Sequence, residues 1–131
     1  DTFGWGVVFS DATLDNLIAA DPVTGQQIAD DLNHWDDIEV HFRGEAHRSG
    51  GHGFCGIGRL RLLQILQQRA AELGVDLRYQ TEVEPDLAAF PGYDLVIASD
   101  GINSRFREKY AEHFGVDVDV RLNKFVWLGT R

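Results

Sequence analysis

The sequence is poor in cysteine and in long apolar runs, and both shortages narrow the class of protein. Cys55 is the only cysteine, so the chain cannot form an internal disulfide and gives no sign of an oxidising compartment. No apolar run approaches the roughly 20 residues that a membrane-spanning helix needs. No basic segment precedes an apolar run in the manner of a signal peptide. We therefore expect a cytoplasmic protein with no membrane partner.

Basic residues are absent from the first third of the chain. The first 42 residues contain nine Asp and Glu but no Lys or Arg, whereas the remainder holds twelve residues of each sign. The net charge of −9 therefore arises in this first third. Because binding to nucleic acids and to anionic membrane surfaces depends on Lys and Arg, neither partner is expected. The acidic side chains are expected on solvent-exposed faces of helices.

Methionine is absent altogether, and the chain opens on an apolar segment that contains glycine. Hydrophobic residues make up 44% and charged residues 25% of the chain, values typical of a globular fold. We expect these 131 residues to be an internal portion of a longer protein. The alternative is a complete domain that has been processed or trimmed.

Strand and helix patterns alternate along the chain, which predicts an α/β fold. Helices are predicted to begin at Ser10-Asp11 and Asp21-Pro22, and to span Arg59–Leu73 and Asn103–Phe114. Strands are predicted at Val7–Phe9, Ile38–Phe42 with a hairpin partner at Ala46–Ser49, Val75–Tyr79, Asp94–Ala98, Val118–Leu122 and Phe125–Leu128. Asp94–Ala98 is apolar on both faces, which is typical of a central parallel strand covered by helices. The prediction is therefore parallel central strands with an antiparallel hairpin.

The most informative segment is this apolar strand followed by Asp100-Gly101 and a helix. Ligands of open α/β sheets bind at the carboxyl ends of strands, and a helix N-terminus favours phosphate groups. Gly101 would let a ligand approach the backbone, and Asp100 would accept hydrogen bonds from ribose hydroxyls. An ordinary strand–turn–helix, in which Asp100 caps the helix, explains the pattern equally well.

This segment resembles the Asp-Gly fingerprint of the FAD-dependent aromatic hydroxylases, the single-component flavoprotein monooxygenases. The family pattern is an apolar strand, Asp-Gly, Ser, an apolar residue and Arg, matched here by Asp100-Gly101, Ser104, Phe106 and Arg107. The resemblance implies that Asp100 and Gly101 lie beside the ribose and pyrophosphate of FAD. It also makes Arg107 a candidate for the phosphates of NADH or NADPH, with a solvated helix charge as the alternative.

Two further segments resemble the same family. Ile57–Leu62 is similar to the segment in which an arginine at the start of a helix contacts FAD, with Arg59 in register and Arg61 expected to be solvated. In the family, a residue after the following strand contacts adenine through its backbone, and Val83 stands at that position. Without the resemblance, either arginine is equally well explained as a surface charge.

Other stretches narrow the resemblance to the group that hydroxylates aryl-CoA thioesters such as salicylyl-CoA and 2-aminobenzoyl-CoA. These stretches are Asp1–Ser10, Asn33–Ile38, Gly51–Ile57 and Phe125–Thr130. The resemblance implies that Gly6 and Val7 lie against the isoalloxazine ring of FAD.

The family's opening βαβ unit with its Gly-x-Gly-x-x-Gly loop does not occur in this sequence, and neither does its later Gly-Asp motif. The resemblance thus implies that residues 1–131 are an internal portion of one Rossmann-like FAD-binding domain of aromatic-hydroxylase type, without most of the substrate domain. We expect this portion alone to hold FAD weakly, if at all, and to be inactive.

The intact protein is expected to be an FAD-dependent monooxygenase that takes a hydride from NADH or NADPH and uses dioxygen. The resemblance implies that a flavin hydroperoxide hydroxylates an aromatic ring, that of an aryl-CoA thioester. The alternatives are a hydroxylase of a free phenol or indole, a flavin-dependent reductase, and a non-catalytic α/β module. No residue is a convincing acid–base catalyst, and the sequence predicts no oligomeric state.

A metal site is not expected from the sequence. His47, His52 and Cys55 are close along the chain, but a site needs three or four converging ligands. Cys55 is interpreted as a buried residue of a glycine-rich strand rather than as a nucleophile.

Overall fold

The first part of the chain contains both helices and strands, as the sequence predicts. The computed structural model describes residues 5–124 of a chain that separates into two units, Asp1–Leu77 and Arg78–Arg131. The elements of the first unit are β1 (Gly6–Ser10), α1 (Asp11–Ala20), α2 (Pro22–Asp30), β2 (Asn33–Trp35), β3 (Ile38–Phe42), β4 (Glu45–Ser49), β5 (Phe54–Gly58) and α3 (Arg59–Glu72). The α/β class is therefore confirmed.

Both predicted helix starts near the beginning of the chain are confirmed. Ser10 caps α1, because its Oγ accepts a hydrogen bond from the backbone N–H of Thr13 at 3.3 Å. Pro22 occupies the first turn of α2, where its missing N–H would have no helical partner. The two helices pack closely, since a Cβ at the buried Gly25 would lie 2.4 Å from the Cα of Ile18.

Three strands form an antiparallel sheet in the order β1–β5–β2. Gly6 pairs with Gly58 at one end of β1, and Cys55 lies between Phe9 on one side and His34 on the other. The central strand β5 carries the buried residues of the sheet, and Cys55 is fully buried there, as its sequence context predicts.

The predicted hairpin is also confirmed. β3 and β4 pair antiparallel from Ile38 opposite Ser49 to Phe42 opposite Glu45. The connecting residues Arg43 and Gly44 have φ of 52° and 85°, the left-handed conformation that tight hairpin turns require.

Helix α3 ends as predicted, because Gly74 adopts φ of 76° just beyond it. Its buried face differs from the apolar stripe that helical spacing predicts, which consists of Leu62, Leu63, Leu66, Ala70 and Leu73. Ile65 is 1% exposed, whereas Leu66 and Leu73 of the stripe are 41% and 62% exposed. The core of the first unit consists of Leu14, Ile28, Cys55, Ile57 and Ile65. Burial of each such aliphatic side chain stabilises the fold by about 1.5–3 kcal/mol.

The second unit contains a 3₁₀ turn (Leu87–Ala89), α4 (Arg105–Lys109) and α5 (Ala111–Phe114). The single helix predicted here is thus divided at Tyr110. The helix stop at Gly115 is confirmed, because this residue is left-handed, with φ of 60°.

The predicted parallel strands are not found among residues 5–124, where every strand pairing is antiparallel. The predictions of strands at Val75–Tyr79, Asp94–Ala98 and Val118–Leu122 are wrong, since these residues form no strand. A strand is held by hydrogen bonds to a neighbouring strand. The second unit has no strand up to residue 124 that could pair with Asp94–Ala98, and Ile97 is 80% exposed. The run predicted at Phe125–Leu128 lies outside the described residues.

None of the helices described between residues 5 and 124 combines the length and the apolar composition that crossing a bilayer requires.

Candidate functional site

Three of the predicted site residues lie together at one end of the sheet in the first unit. Gly6 pairs in register with Gly58, and Arg59 follows at the start of α3. The backbone N–H of Arg59 donates to the carbonyl of Trp5 at 3.4 Å, which ties the start of α3 to the start of β1. Antiparallel pairing of β1 with β5 thus brings Gly6 and Val7 beside Arg59.

The N-terminus of α3 suits an anion. No side chain caps this helix, and its first turn contains no acidic residue. Apart from the N–H of Arg59, which donates to Trp5, the N–H groups of the first turn and the positive end of the helix dipole therefore face no negative charge from the helix itself. Arg59 and Arg61 add two positive charges to the same turn.

The two arginines differ in what their guanidinium groups contact. Arg61 Nε donates to the carboxylate of Asp31 at 2.6 Å. Within residues 5–124, no side chain forms a hydrogen bond or ion pair with the exposed guanidinium of Arg59. Arg59 is therefore the arginine free to meet a ligand, in agreement with its register in the sequence motif.

Two glycines lie beside this helix end, and the backbone is open at Gly58 but tightly packed at Gly6. A Cβ at Gly6 would lie 3.0 Å from the carbonyl oxygen of Ile57, and a Cβ at Gly58 would contact nothing within 4 Å. A flat group can approach such a surface more closely than it can approach a strand that carries side chains. Val7 is half-buried and packs against the core, which fixes this part of β1.

In the second unit, the Asp100-Gly101 turn has the expected backbone conformation. Gly101 adopts φ of 82°, which a residue with a Cβ rarely adopts. Asp100 Oδ2 accepts a hydrogen bond from the backbone N–H of Arg105 at 3.0 Å. The hydroxyl of Ser104 and the backbone N–H groups of α4 lower the pKa of Asp100. Asp100 therefore shares the capping of α4 with Ser104, which is the N-cap residue of this helix.

Arg107 is more enclosed than a solvated helix charge would be. Its guanidinium donates to the carbonyl of Ile102, and its backbone N–H donates to Ser104 Oγ at 3.1 Å. It lines an apolar groove of about 370 Å³ together with Val96, Phe106 and Phe114 among others. It also lines a second groove of about 380 Å³.

Val83 is 46% exposed and lies in a segment tied to the start of α4. The neighbouring Glu82 accepts a hydrogen bond from the guanidinium of Arg105 at 2.8 Å. Since Arg105 also donates its backbone N–H to Asp100, one residue connects the Val83 segment to the Asp-Gly turn.

The sequence does not reveal a side-chain network that holds α4 in place. Asp86 accepts hydrogen bonds from Lys109 Nζ at 2.6 Å and from the Tyr110 hydroxyl at 3.3 Å. The Lys109 ammonium lowers the pKa of Asp86, and Asp86 raises the pKa of Lys109. Lys109 and Tyr110 lie 23 and 24 positions after Asp86 in the sequence. No sequence pattern connects residues at such a separation.

Cys55 lies close to different residues from those considered in the sequence. His47 pairs with Glu45 at 3.6 Å, and His52 Nε2 lies 2.8 Å from Ser49 Oγ. The side chains near the Cys55 thiol are instead Asp11 and His34. Burial, and secondarily the charge of Asp11, raises the pKa of Cys55, so the thiol is neutral and unsuited to act as a nucleophile.

The fold and site thus define an α/β chain with an anion-suited helix N-terminus beside a glycine-lined sheet edge. Comparison with known proteins identifies similar chains. The chain is 51% identical to salicyloyl-CoA 5-hydroxylase of a Streptomyces species, over 99% of this chain and 25% of that protein. It is 30% identical to 3-hydroxy-4-methyl-anthranilyl-[aryl-carrier protein] 5-monooxygenase of Streptosporangium sibiricum, over 98% of this chain and 36% of that protein.

A third relative is protodeoxyviolaceinate monooxygenase of Chromobacterium violaceum, 27% identical over 99% of this chain and 35% of that protein. All three relatives are named as hydroxylases or monooxygenases, which is consistent with the aromatic hydroxylase family that the sequence motifs resemble. The chain spans about a quarter to a third of the length of these relatives. No protein-family model matches the chain, and no solved structure matches it.

Proposed function

We propose that the chain is part of an FAD- and NAD(P)H-dependent monooxygenase that hydroxylates the aromatic ring of an aryl-CoA thioester such as salicylyl-CoA. The observation that carries the proposal is the 51% identity to a salicyloyl-CoA 5-hydroxylase, which extends over 99% of this chain. Identity at this level along the whole chain favours a shared substrate class over a shared fold alone.

The residues at the start of α3 fit the pyrophosphate of FAD. Arg59 has an exposed guanidinium that no side chain of residues 5–124 occupies, at a helix end that lacks a side-chain cap and has no acidic residue in its first turn. These are the properties of an anion site. Gly6 and Val7 would then lie against the isoalloxazine ring, since β1 adjoins this helix end through the pairing of Gly6 with Gly58.

The second unit is proposed to bind the nucleotide parts of the cofactors. Gly101 leaves the backbone open for the FAD ribose. Asp100 would bind the ribose through the carboxylate lone pairs that its contacts with α4 do not use. Val83 would contact adenine through its backbone. Arg107 would bind the phosphates of NADH or NADPH, which requires its guanidinium to leave the carbonyl of Ile102.

When bound, FAD would supply the redox chemistry, by accepting a hydride from NADH or NADPH and activating dioxygen. The residues of this chain would position the cofactor and exclude water from it. None of the site residues is proposed as an acid–base catalyst.

Steady-state kinetics of the full-length protein with bound flavin tests the proposal. We expect salicylyl-CoA to accelerate NADH or NADPH oxidation strongly and to yield a hydroxylated CoA thioester, with free salicylate as the matched control. A full-length protein that neither contains nor takes up flavin would contradict the proposal.

A free aromatic substrate is the second candidate, because the third relative is named for a substrate without CoA or a carrier protein. The first two relatives are named for aryl groups attached to CoA or to an aryl-carrier protein, which favours a carrier-bound substrate. Stimulation by salicylate equal to that by salicylyl-CoA would favour the second candidate.

We also propose that residues 1–131 belong to one FAD-binding domain and that this portion alone binds FAD weakly and is inactive. The basis is that the chain spans only 25% of the salicyloyl-CoA hydroxylase. Fluorescence titration of FAD with the 131-residue chain tests this, and tight retention of FAD would contradict it.

A further inference from the structure

We propose that Asp11, His34 and Cys55 form a binding site for Zn²⁺. Their donor atoms, one carboxylate oxygen, one imidazole nitrogen and one sulfur, all lie within 4.8 Å of one another. His34 Nδ1 and Asp11 Oδ1 lie 3.9 Å apart. Small side-chain adjustments would bring three donors at this spacing to a shared ion.

The pairing of the strands brings Asp11, His34 and Cys55 together. His34 of β2 and Cys55 of β5 are opposite each other in the antiparallel register, so their side chains lie on the same face. Phe9 of β1 pairs with Cys55 from the other side, and Asp11 follows two residues later at the start of α1. Three separate segments therefore present one ligand each to the same point.

Asp11 is held in position by contacts that do not use its carboxylate. Its backbone N–H donates to the carbonyl of Gly53 at 3.0 Å. A Cβ at Gly53 would lie 2.4 Å from Asp11 Oδ2, so glycine at this position makes room for the carboxylate. The nearby Asp36 is already engaged, since its carboxylate accepts the backbone N–H groups of Gly51 and Gly53 at 2.8 and 3.2 Å.

The set of donors determines the class of metal. Thiolate and imidazole ligands favour Zn²⁺ among the common divalent ions, whereas Mg²⁺ and Ca²⁺ prefer sites made of oxygen alone. The sulfur of the fully buried Cys55 would lie on the protein side of the ion, with the exposed Asp11 and His34 on the solvent side. Binding would release the thiol proton of Cys55 to solvent, because the thiolate is the ligand.

An entry path is present. Asp11 and His34 line a groove of about 300 Å³ that is open to solvent. The groove leaves room for a water molecule at a fourth coordination position, as in zinc sites with three protein ligands. A bound ion would connect β2, β5 and the β1–α1 junction, and so would stabilise the first unit.

Absorption spectroscopy with Co²⁺ tests the site, since Co²⁺ occupies zinc sites and is coloured. We expect titration of the reduced 131-residue chain to produce a sulfur-to-cobalt charge-transfer band that stoichiometric Zn²⁺ abolishes. Cys55→Ser should eliminate this band. His34→Gln and Asp11→Asn, both at exposed positions, should each weaken Co²⁺ binding by roughly tenfold or more.

The matched control is His52→Gln, which alters a neighbouring histidine outside the cluster and should leave the titration unchanged. Absence of the charge-transfer band from the unaltered chain would overturn the proposal. Full affinity for Co²⁺ in both His34→Gln and Asp11→Asn would also overturn the proposal. Because these two variants change exposed side chains, they test the site even if Cys55→Ser fails to fold. No outcome depends on flavin or on the proposed enzymatic activity.

Discussion

Arg69 of α3 holds the carboxylate of Asp21 through two hydrogen bonds, from Nε to Oδ2 at 2.8 Å and from Nη2 to Oδ1 at 3.1 Å. Thr24 Oγ1 donates to the same carboxylate at 2.6 Å. The Arg69 guanidinium, with help from Thr24, lowers the pKa of Asp21 from 3.8 to about 2. Because Asp21 immediately precedes α2, this bidentate pair joins the start of one helix to the end of another.

The Asp21–Arg69 pair predicts a loss of stability in acid. The pKa of Asp21 is lower in the folded chain than in the unfolded chain, so the unfolded chain binds the proton first as pH falls. The contribution of Asp21 is fully present above about pH 4 and is lost as pH falls toward 2. Thermal melts followed by circular dichroism between pH 5 and pH 2 should show this loss, and Asp21→Asn should reduce it.

Asp31→Asn is the matched control for this experiment. Asp31 pairs with Arg61 at 2.6 Å, but both side chains are more exposed than those of Asp21 and Arg69. An exposed ion pair contributes little to stability. Equal loss of the acid transition in both variants would contradict the assignment to Asp21.

Replacing Gly25 by alanine should destabilise the α1–α2 pair. Alanine favours a helix over glycine by about 1 kcal/mol. Here, however, the added Cβ would lie 2.4 Å from the Cα of Ile18 and 2.7 Å from its N, both backbone atoms. We expect a net loss of about 2 kcal/mol or more in the free energy of unfolding, measured by urea denaturation.

Gly58→Ala serves as the control, because a Cβ there meets nothing within 4 Å. It should cost about 1 kcal/mol or less, because alanine is a weaker N-cap residue than glycine but meets no steric clash here. A stabilising effect of Gly25→Ala would show that the helices can move apart at no cost.

Two neighbouring residues of α3 should respond differently to truncation. Ile65→Ala should cost roughly 2–5 kcal/mol, since this side chain is 1% exposed in the core and its loss leaves a cavity. Leu66→Ala should cost about 1 kcal/mol or less, because Leu66 is 41% exposed. Urea denaturation of both variants compares them directly, and equal losses would mean that α3 is rotated from its described orientation.

Arg59 and Arg61 should differ in their effect on flavin affinity in the full-length protein. Arg59→Ala should weaken FAD binding by roughly tenfold or more, as expected for loss of a charge-assisted contact to phosphate. Arg61→Ala should leave flavin affinity nearly unchanged, since Arg61 is paired with Asp31. Flavin fluorescence during titration of the apoprotein measures both, and the reverse order of effects would contradict the assignment of Arg59.

Features encoded over short stretches were predictable from the sequence. The Ser10 cap, the Asp21-Pro22 start and the Gly74 stop each depend on a few adjacent residues and are confirmed. The strand at Asp94–Ala98 was predicted wrongly because its apolar composition describes only its environment. A strand also needs a neighbour to pair with, and a local pattern cannot supply that information.

In the candidate site, too, only the features encoded over short stretches were predictable from the sequence. The placement of Arg59 at the start of α3 followed from a local motif, and so did the left-handed Gly101. The Asp11, His34 and Cys55 cluster was missed because its members come from three segments, with no regular spacing to connect them. Only the strand register reveals that His34 and Cys55 are opposite each other.

That register also has a kinetic consequence. Phe9 and Cys55 are neighbours in the sheet although 46 positions separate them along the chain, so the sheet forms only after a long loop has closed. The α1–α2 pair needs no such closure and should form earlier during folding. Pulsed hydrogen exchange during refolding should therefore detect protected amides in α1 and α2 before those in β1 and β5.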